Sequence, residues 1–167
     1  MMEIVTYGNP VLRTKGARIE TITDEIRQLA AAMLETMNAA RGVGLAAQQV
    51  GHALQLAVVD VSGVEDRPSR MWVGGEEVNP EDWMPLILIN PEVQAGKEKE
   101  PGTEGCLSFP EISADILRAL TVKVKARLLD GRDLEKPLWR SLNALVSPEE
   151  ASGDTGAMFF KVQAIKK

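Results

Sequence analysis

Two short segments of the sequence contain side chains that could bind or activate a ligand. The first covers residues 42–49 (GVGLAAQQ), where small residues are packed together and are followed by two amides. Small residues let a backbone approach a ligand closely, and an amide side chain can donate a hydrogen bond to a carbonyl oxygen. Taken by itself, the segment is equally typical of a tight connection between a helix and a strand.

The second segment covers residues 104–108 (EGCLS) and contains the only cysteine of the chain, Cys106. A lone cysteine is more often a small buried hydrophobic residue than a nucleophile or a metal ligand. Nucleophilic chemistry would need a histidine to activate the thiol, and His52 is the only histidine. Because His52 directly follows Gly51 in a predicted turn, we expect it to be solvated and to have no catalytic role.

One predicted helix precedes the first segment. Thr23, Asp24 and Glu25 are typical of a helix start, and apolar residues then recur at three- and four-residue steps up to Ala40. This spacing predicts an amphipathic helix of about four turns. Gly42, just beyond it, is predicted to end the helix in a left-handed conformation.

Several strands are predicted to surround this helix. Apolar runs predict strands at 54–61 and 86–89, separated by a polar surface excursion over 62–85. The run 121–128 alternates apolar and polar residues, which predicts a strand with one face in water. A helical pattern returns near 138–146, and the whole arrangement favours an α+β domain.

Length, composition and charge limit the class of protein. A chain of 167 residues with 44% hydrophobic residues can bury a core without disulfides, so residues 1–167 are predicted to form a single domain. A net charge of −5 with interleaved acids and bases disfavours nucleic acid and membrane partners. The single cysteine and a start (MMEIVTYGNP) that lacks a signal-peptide pattern predict a cytoplasmic protein.

The two segments occur together with framing residues that resemble the peptide deformylase family over about residues 1–135. The matching stretches are IVTYGNPVL at 4–12, GVGLAAQQVG at 42–51, LINP at 88–91 and EGCLSFPE at 104–111. The resemblance implies an α+β fold of antiparallel sheets around a C-terminal helix. It also implies hydrolysis of the formyl group from the N-terminal methionine of new proteins, with Fe²⁺ or Zn²⁺ as the cofactor.

The resemblance assigns roles to residues that match the motifs. Gln49 would donate to the formyl oxygen, the backbone amide of Leu107 would complete that oxyanion site, and Cys106 would be a thiolate ligand of the metal. Formyl-methionyl peptides and the ribosome are the implied partners. The implied substrate-binding residues are Gly42, Val43, Gly44, Glu104 and Gly105.

The third motif of the family, a helical HExxH that supplies two histidine ligands and a glutamate base, is absent. Its position falls on residues 148–152 (PEEAS), where Glu149 stays in register and both histidines are lost. Ser147 as a cap and Pro148 at the first helical position predict a new helix start, so the family's helix is expected to break near Pro148. In this interpretation Glu149 stabilises a helix N-terminus and has no catalytic role.

Three hypotheses about function follow from the sequence. A catalytic zinc normally has three protein ligands, so no metal is expected here, and the chain would be an inactive or weakened relative that binds formyl-methionyl peptides or the ribosome. Alternatively, it is an active deformylase or amidase that uses Cys106 chemistry or substitutes Glu149, Glu150 or Asp154 as ligands. In the third hypothesis, residues 137–155 arise from a change of reading frame.

Overall fold

A computed structural model describes residues 1–64 and 69–134, together with the backbone of three short strands at 138–140, 147–148 and 160–161. This part of the chain contains one α-helix, α1 (Asp24–Ala39), and 3-10 turns at Pro10–Arg13, Ala47–Val50 and Pro80–Trp83. The strands are β1 (Gly44–Ala46), β2 (Leu56–Val59), β3 (Arg70–Val73), β4 (Glu76–Val78), β5 (Leu86–Ala95), β6 (Lys99–Cys106), β7 (Phe109–Ala119), β8 (Thr121–Leu128), β9 (Asp133–Leu134), β10 (Leu138–Arg140), β11 (Ser147–Pro148) and β12 (Phe160–Lys161).

An antiparallel sheet forms the centre of the fold. Its strands follow the order β1-β2-β5-β8-β10-β3-β4, and β9 pairs with β8. Strands β6 and β7 form a separate antiparallel hairpin, and β11 pairs with β12. Antiparallel sheets with one helix confirm the predicted α+β class.

Hydrophobic residues cover both faces of the central strands, because successive side chains of a strand point to opposite sides. Leu56 and Val58 of β2 pack with Met33 and Met37 of α1 in one buried cluster. Val59 belongs to a second buried cluster that includes residues of β3, β5 and β8. Helix α1 therefore covers one face of the sheet at the end where β1 and β2 lie.

The predicted helix is confirmed, although its end differs from the prediction. Thr23 is the N-cap, and its side chain accepts a hydrogen bond from the Ile26 N–H. The left-handed residue after the helix is Arg41, with φ +54°, and Gly42 is not in that conformation. The prediction that Gly42 takes the left-handed conformation was wrong, because the chain reverses one residue earlier, at Arg41.

Among the predicted strands, 121–128 is confirmed, and its inward side chains alternate with exposed ones. The runs at 54–61 and 86–89 contain β2 and the start of β5. The stretch 62–85, predicted as a surface excursion, contains the β3–β4 hairpin at the end of the sheet, and Met71 is the one buried residue among those described there. The pairing of β3 with β10 joins residues more than 60 positions apart, which local patterns do not report.

Two helical predictions near the C-terminus were wrong in the parts that the structure describes. Residues Leu138–Arg140 are a strand between β8 and β3, because the sheet offers hydrogen-bonding partners on both sides. Ser147–Pro148 is also a strand, so no helix begins there. A residue before proline is restricted to extended conformations, and a proline is tolerated in an edge strand. The remainder of the predicted broken helix lies outside the described residues.

Candidate functional site

Gln49 lies in the 3-10 turn that directly follows β1, and its side chain is buried. Its Oε1 accepts a hydrogen bond of 3.0 Å from the Ala46 backbone N–H. Because a backbone N–H can only donate, this contact identifies the oxygen of the amide and directs Nε2 to the other side. There Nε2 lies 3.8 Å from Cys106 Sγ and 3.3 Å from Ser108 Oγ.

Cys106 is the last residue of β6 and is half-buried. It pairs with Phe109, so Leu107 and Ser108 form a two-residue turn between β6 and β7. The register shifts between Gly105 and Cys106, and such an irregularity re-aims the side chains that follow it. The hairpin thus presents the thiol beside the amide of the first segment.

An N-terminal segment joins the two loops. The N–H of Val5 donates to the carbonyl oxygen of Gln49 at 2.9 Å, and the N–H of Tyr7 donates to that of Ser108 at 2.9 Å. Gln49 and Cys106 are 57 positions apart in the sequence. Gln49 and Cys106, the two side chains to which the resemblance assigns roles, therefore lie side by side, and main-chain hydrogen bonds connect their loops through the N-terminal segment.

Glu104 and Gly105, predicted to bind substrate, lie at the end of β6 next to the thiol. The carboxylate of Glu104 is 2% exposed and accepts hydrogen bonds from Arg118 Nε at 3.0 Å and from Nη2 at 2.9 Å. This ion pair joins β6 to β7 beside Cys106. A substrate-binding role for Glu104 and Gly105 stays a prediction.

The other predicted substrate-binding residues lie at the start of strand β1 or just before it. Gly42 donates its N–H to the carbonyl of Met37, and the carbonyl of Val43 accepts from Asp60. Gly44 opens β1, which is the last strand at this end of the sheet. The backbone of β1 is thus placed so that an extended peptide could pair with it.

The donor set of the described residues does not fit a metal site with three protein ligands. Residues 1–64 and 69–134 contain no group of three or more His, Cys, Asp and Glu side chains that could hold a metal. His52, the only histidine of the sequence, is exposed in the turn after Gln49, as predicted. The predicted roles of Glu149 and the alternative ligands Glu150 and Asp154 lie outside the described residues.

Sequence reasoning missed the contribution of Ser108 and of the N-terminal backbone. Ser108 is 1% exposed, and its hydroxyl contacts the amide of Gln49. The available signal was a small polar side chain in a tight turn directly after the cysteine. Val5 and Tyr7 gave no such signal, because only their main-chain atoms take part.

Comparison with known proteins points to one family. A family model described as polypeptide deformylase matches residues 1–147. A peptide deformylase of Methylacidiphilum infernorum is 48% identical over 132 residues, which are 79% of this chain and 69% of that protein. The crystal structure of peptide deformylase from Thermotoga maritima aligns with a TM-score of 0.65 and 34% identity over 82% of this chain and 80% of that one. The crystal structure of a peptide deformylase from Synechococcus elongatus in complex with actinonin aligns with a TM-score of 0.69 and 33% identity over 86% of this chain and 68% of that one.

Proposed function

Because this chain belongs to the polypeptide deformylase family, we propose that it recognises formyl-methionyl peptides and that its hydrolysis of them is lost or strongly weakened. One observation carries the first half of the proposal: the Gln49 amide nitrogen lies 3.8 Å from the Cys106 sulfur. The second half rests on the sequence, which contains a single histidine where the family motif requires two. Recognition and hydrolysis are therefore separable in this protein.

Recognition would depend on groups that the described residues contain. Nε2 of Gln49 carries two hydrogens, so it can donate to a formyl oxygen placed next to Cys106 as well as to Ser108. The backbone N–H of Leu107 would be a second donor to the same oxygen. Strand β1 would pair with the peptide main chain, with Gly42, Val43 and Gly44 at the contact.

Hydrolysis would be weakened because none of these groups can activate a water molecule as the nucleophile. A bound Fe²⁺ or Zn²⁺ would lower the pKa of its water ligand far below that of bulk water. Cys106 would supply one thiolate ligand, whereas a catalytic zinc normally has three protein ligands. We therefore assign no hydrolytic step to the described residues.

Peptide binding tests the first half of the proposal. Formyl-Met-Ala and unformylated Met-Ala are titrated into the ¹⁵N-labelled protein, and we expect tighter binding of the formylated peptide. Gln49→Leu should remove this preference, because leucine cannot donate to the formyl oxygen. Gln48→Leu is the matched control, since Gln48 is an equally buried amide in the same turn, and it should retain the preference. Equal binding of the two peptides by the unchanged protein would reject recognition.

Metal content and turnover test the second half. The protein is purified without oxygen in the presence of Fe²⁺ or Zn²⁺, its metal is quantified, and formyl-Met-Ala hydrolysis is followed. We expect substoichiometric metal and turnover orders of magnitude below that of a relative with an intact HExxH. Stoichiometric metal with ordinary turnover would overturn this half and favour a deformylase with substituted ligands.

The position of Cys106 beside Gln49 supports one alternative, an amidase that uses the thiol as its nucleophile. Such an enzyme would need a base close to the sulfur, and His52 lies in an exposed turn. Cys106→Ala should abolish any measured activity under this alternative.

The ribosome remains a proposed partner, to be tested by co-sedimentation of the protein with purified ribosomes.

A further inference from the structure

Ser108 contributes a buried hydroxyl that no proposed step uses. Its residue is 1% exposed, and Oγ accepts a hydrogen bond of 3.3 Å from Gln49 Nε2. A buried hydroxyl without a hydrogen bond is unfavourable, so serine at this position requires a polar neighbour. The neighbour is the one side chain proposed to contact the formyl oxygen.

The amide of Gln49 is held at both of its ends. Its oxygen accepts from the Ala46 N–H at 3.0 Å, and its nitrogen donates to Ser108. With one N–H committed to Ser108, the plane of the amide directs the second N–H toward the side where Cys106 Sγ lies. Without Ser108, the oxygen would remain anchored, but rotation about the last side-chain torsion would meet less resistance, because this torsion is broad.

Main-chain hydrogen bonds connect Ser108 and Gln49 to the same N-terminal segment. The carbonyl oxygens of these two residues accept from Tyr7 and Val5 of the same N-terminal segment, each at 2.9 Å. The backbone distance between the two loops is thus set independently of the side chains. The hydroxyl only has to orient the amide.

We propose that Ser108 is a positioning residue that orients the Gln49 amide toward the formyl oxygen. The proposal rests on the proposed recognition of formyl-methionyl peptides. Ser108 acts through Gln49 and touches no reacting atom itself. A side chain preorganised in this way loses less conformational freedom when the ligand binds.

The test compares Ser108→Ala with Ser108→Thr, which keeps the hydroxyl. The matched control is Thr36→Val, because Thr36 is a 2% exposed residue whose hydroxyl is also hydrogen-bonded but lies in α1. The readouts are the side-chain NH₂ resonances of Gln49 with their hydrogen-exchange rates, and the ratio of formyl-Met-Ala to Met-Ala affinity. Loss of the signals in Gln49→Leu assigns them.

We expect Ser108→Ala to shift the Gln49 NH₂ signals, to speed their exchange and to lower the affinity ratio about tenfold. Ser108→Thr and Thr36→Val should leave both readouts near those of the unchanged protein. If the added methyl of threonine unfolds the protein, Ser108→Ala, which adds no volume, still decides through the amide signals. Unchanged Gln49 signals in Ser108→Ala would overturn the positioning role. Shifted signals in a protein that never prefers the formylated peptide would support positioning and reject the proposed function.

Discussion

At the scale of single residues, Glu104 and Arg118 form an ion pair that is largely withdrawn from solvent. Their side chains are 2% and 14% exposed, and two N–H groups of the guanidinium reach the carboxylate. The pair joins β6 and β7 two residues before the thiol. Removing one member of such a pair leaves a buried charge without its partner, which costs more than the pair contributes.

Arg118→Met is therefore expected to lower the free energy of unfolding by roughly 3–5 kcal/mol. Urea denaturation followed by circular dichroism measures this change. Arg70→Met is the control, because Arg70 and Glu77 also form a bidentate pair but with side chains 49% and 47% exposed. The control should change stability little. Equal effects of the two substitutions would contradict a special role for the buried pair.

Glu77 illustrates a pH effect at one residue. Its hydrogen bonds to Arg70 hold the pKa of the Glu77 carboxyl below its usual value of 4.5. A lowered folded-state pKa adds stability that is present above pH 4.5 and is lost as the pH falls further. In a carbon-detected NMR titration, Arg70→Gln should move the midpoint of Glu77 back toward that value. An unmoved midpoint would mean that Arg70 is not the cause.

At the scale of elements, helix α1 ends in a double hydrogen-bonded cap. The N–H of Gly42 donates to the carbonyl of Met37, and the N–H of Arg41 donates to that of Asn38. This pattern is a Schellman motif, in which the residue at the position of Arg41 is usually glycine. Arg41 has φ +54°, a conformation that is unfavourable for residues with a Cβ atom.

Arg41→Gly should raise the free energy of unfolding by about 0.5–1 kcal/mol, because relief of backbone strain exceeds the extra entropy of the unfolded chain. Arg41→Ala is the matched control, since it removes the same exposed side chain and retains the Cβ. Thermal unfolding of the three proteins compares them. A gain of equal size with alanine would show that the arginine side chain, and not the backbone, is responsible.

Strand β11 affects any attempt to restore the family's metal site. Two histidines four positions apart share a face only on a helix. Ser147–Pro148 is extended and pairs with Phe160–Lys161, so position 148 does not start a helical turn. We expect Pro148→His with Ser152→His to leave zinc content substoichiometric, measured by elemental analysis. Full zinc loading with recovered hydrolysis would contradict this expectation.

At the scale of the whole molecule, both core clusters share the central strands. Leu56 and Val58 face the cluster with α1, whereas neighbouring Val59 faces the cluster with Leu88. Because both clusters contain residues of β2 and β5, unfolding of either cluster would disrupt strands that the other cluster needs. The two clusters are therefore expected to unfold together. None of the helices in the described part of the chain is long and apolar enough to cross a bilayer.

Met33→Ala and Leu88→Ala should each lower the free energy of unfolding by about 2–5 kcal/mol, because both side chains are fully buried, at 0% and 1% exposure. Both substitutions should shift one common transition. Far-UV circular dichroism and tryptophan fluorescence in urea test this, and coincident curves would support the predicted single domain over residues 1–167. Separate transitions would indicate two units that unfold independently.

Much of the element pattern could be predicted from local sequence. The Thr23 cap and the periodic apolar residues place α1 within one residue of its observed ends, and alternation places β8. These signals are local, because a cap and a repeating face involve residues a few positions apart. The absence of a second histidine is also a property of the sequence alone, and it decides that no HExxH can form.

Only the tertiary structure decided which side chains meet. The Gln49 amide faces Cys106 and Ser108 because main-chain bonds from Val5 and Tyr7 join loops that are distant in sequence. Residues 138–140 form a strand despite a helical pattern, because β8 and β3 provide hydrogen-bonding partners on both sides. Such contacts depend on partners far along the chain, whereas periodicity and capping report only on a segment's own neighbours.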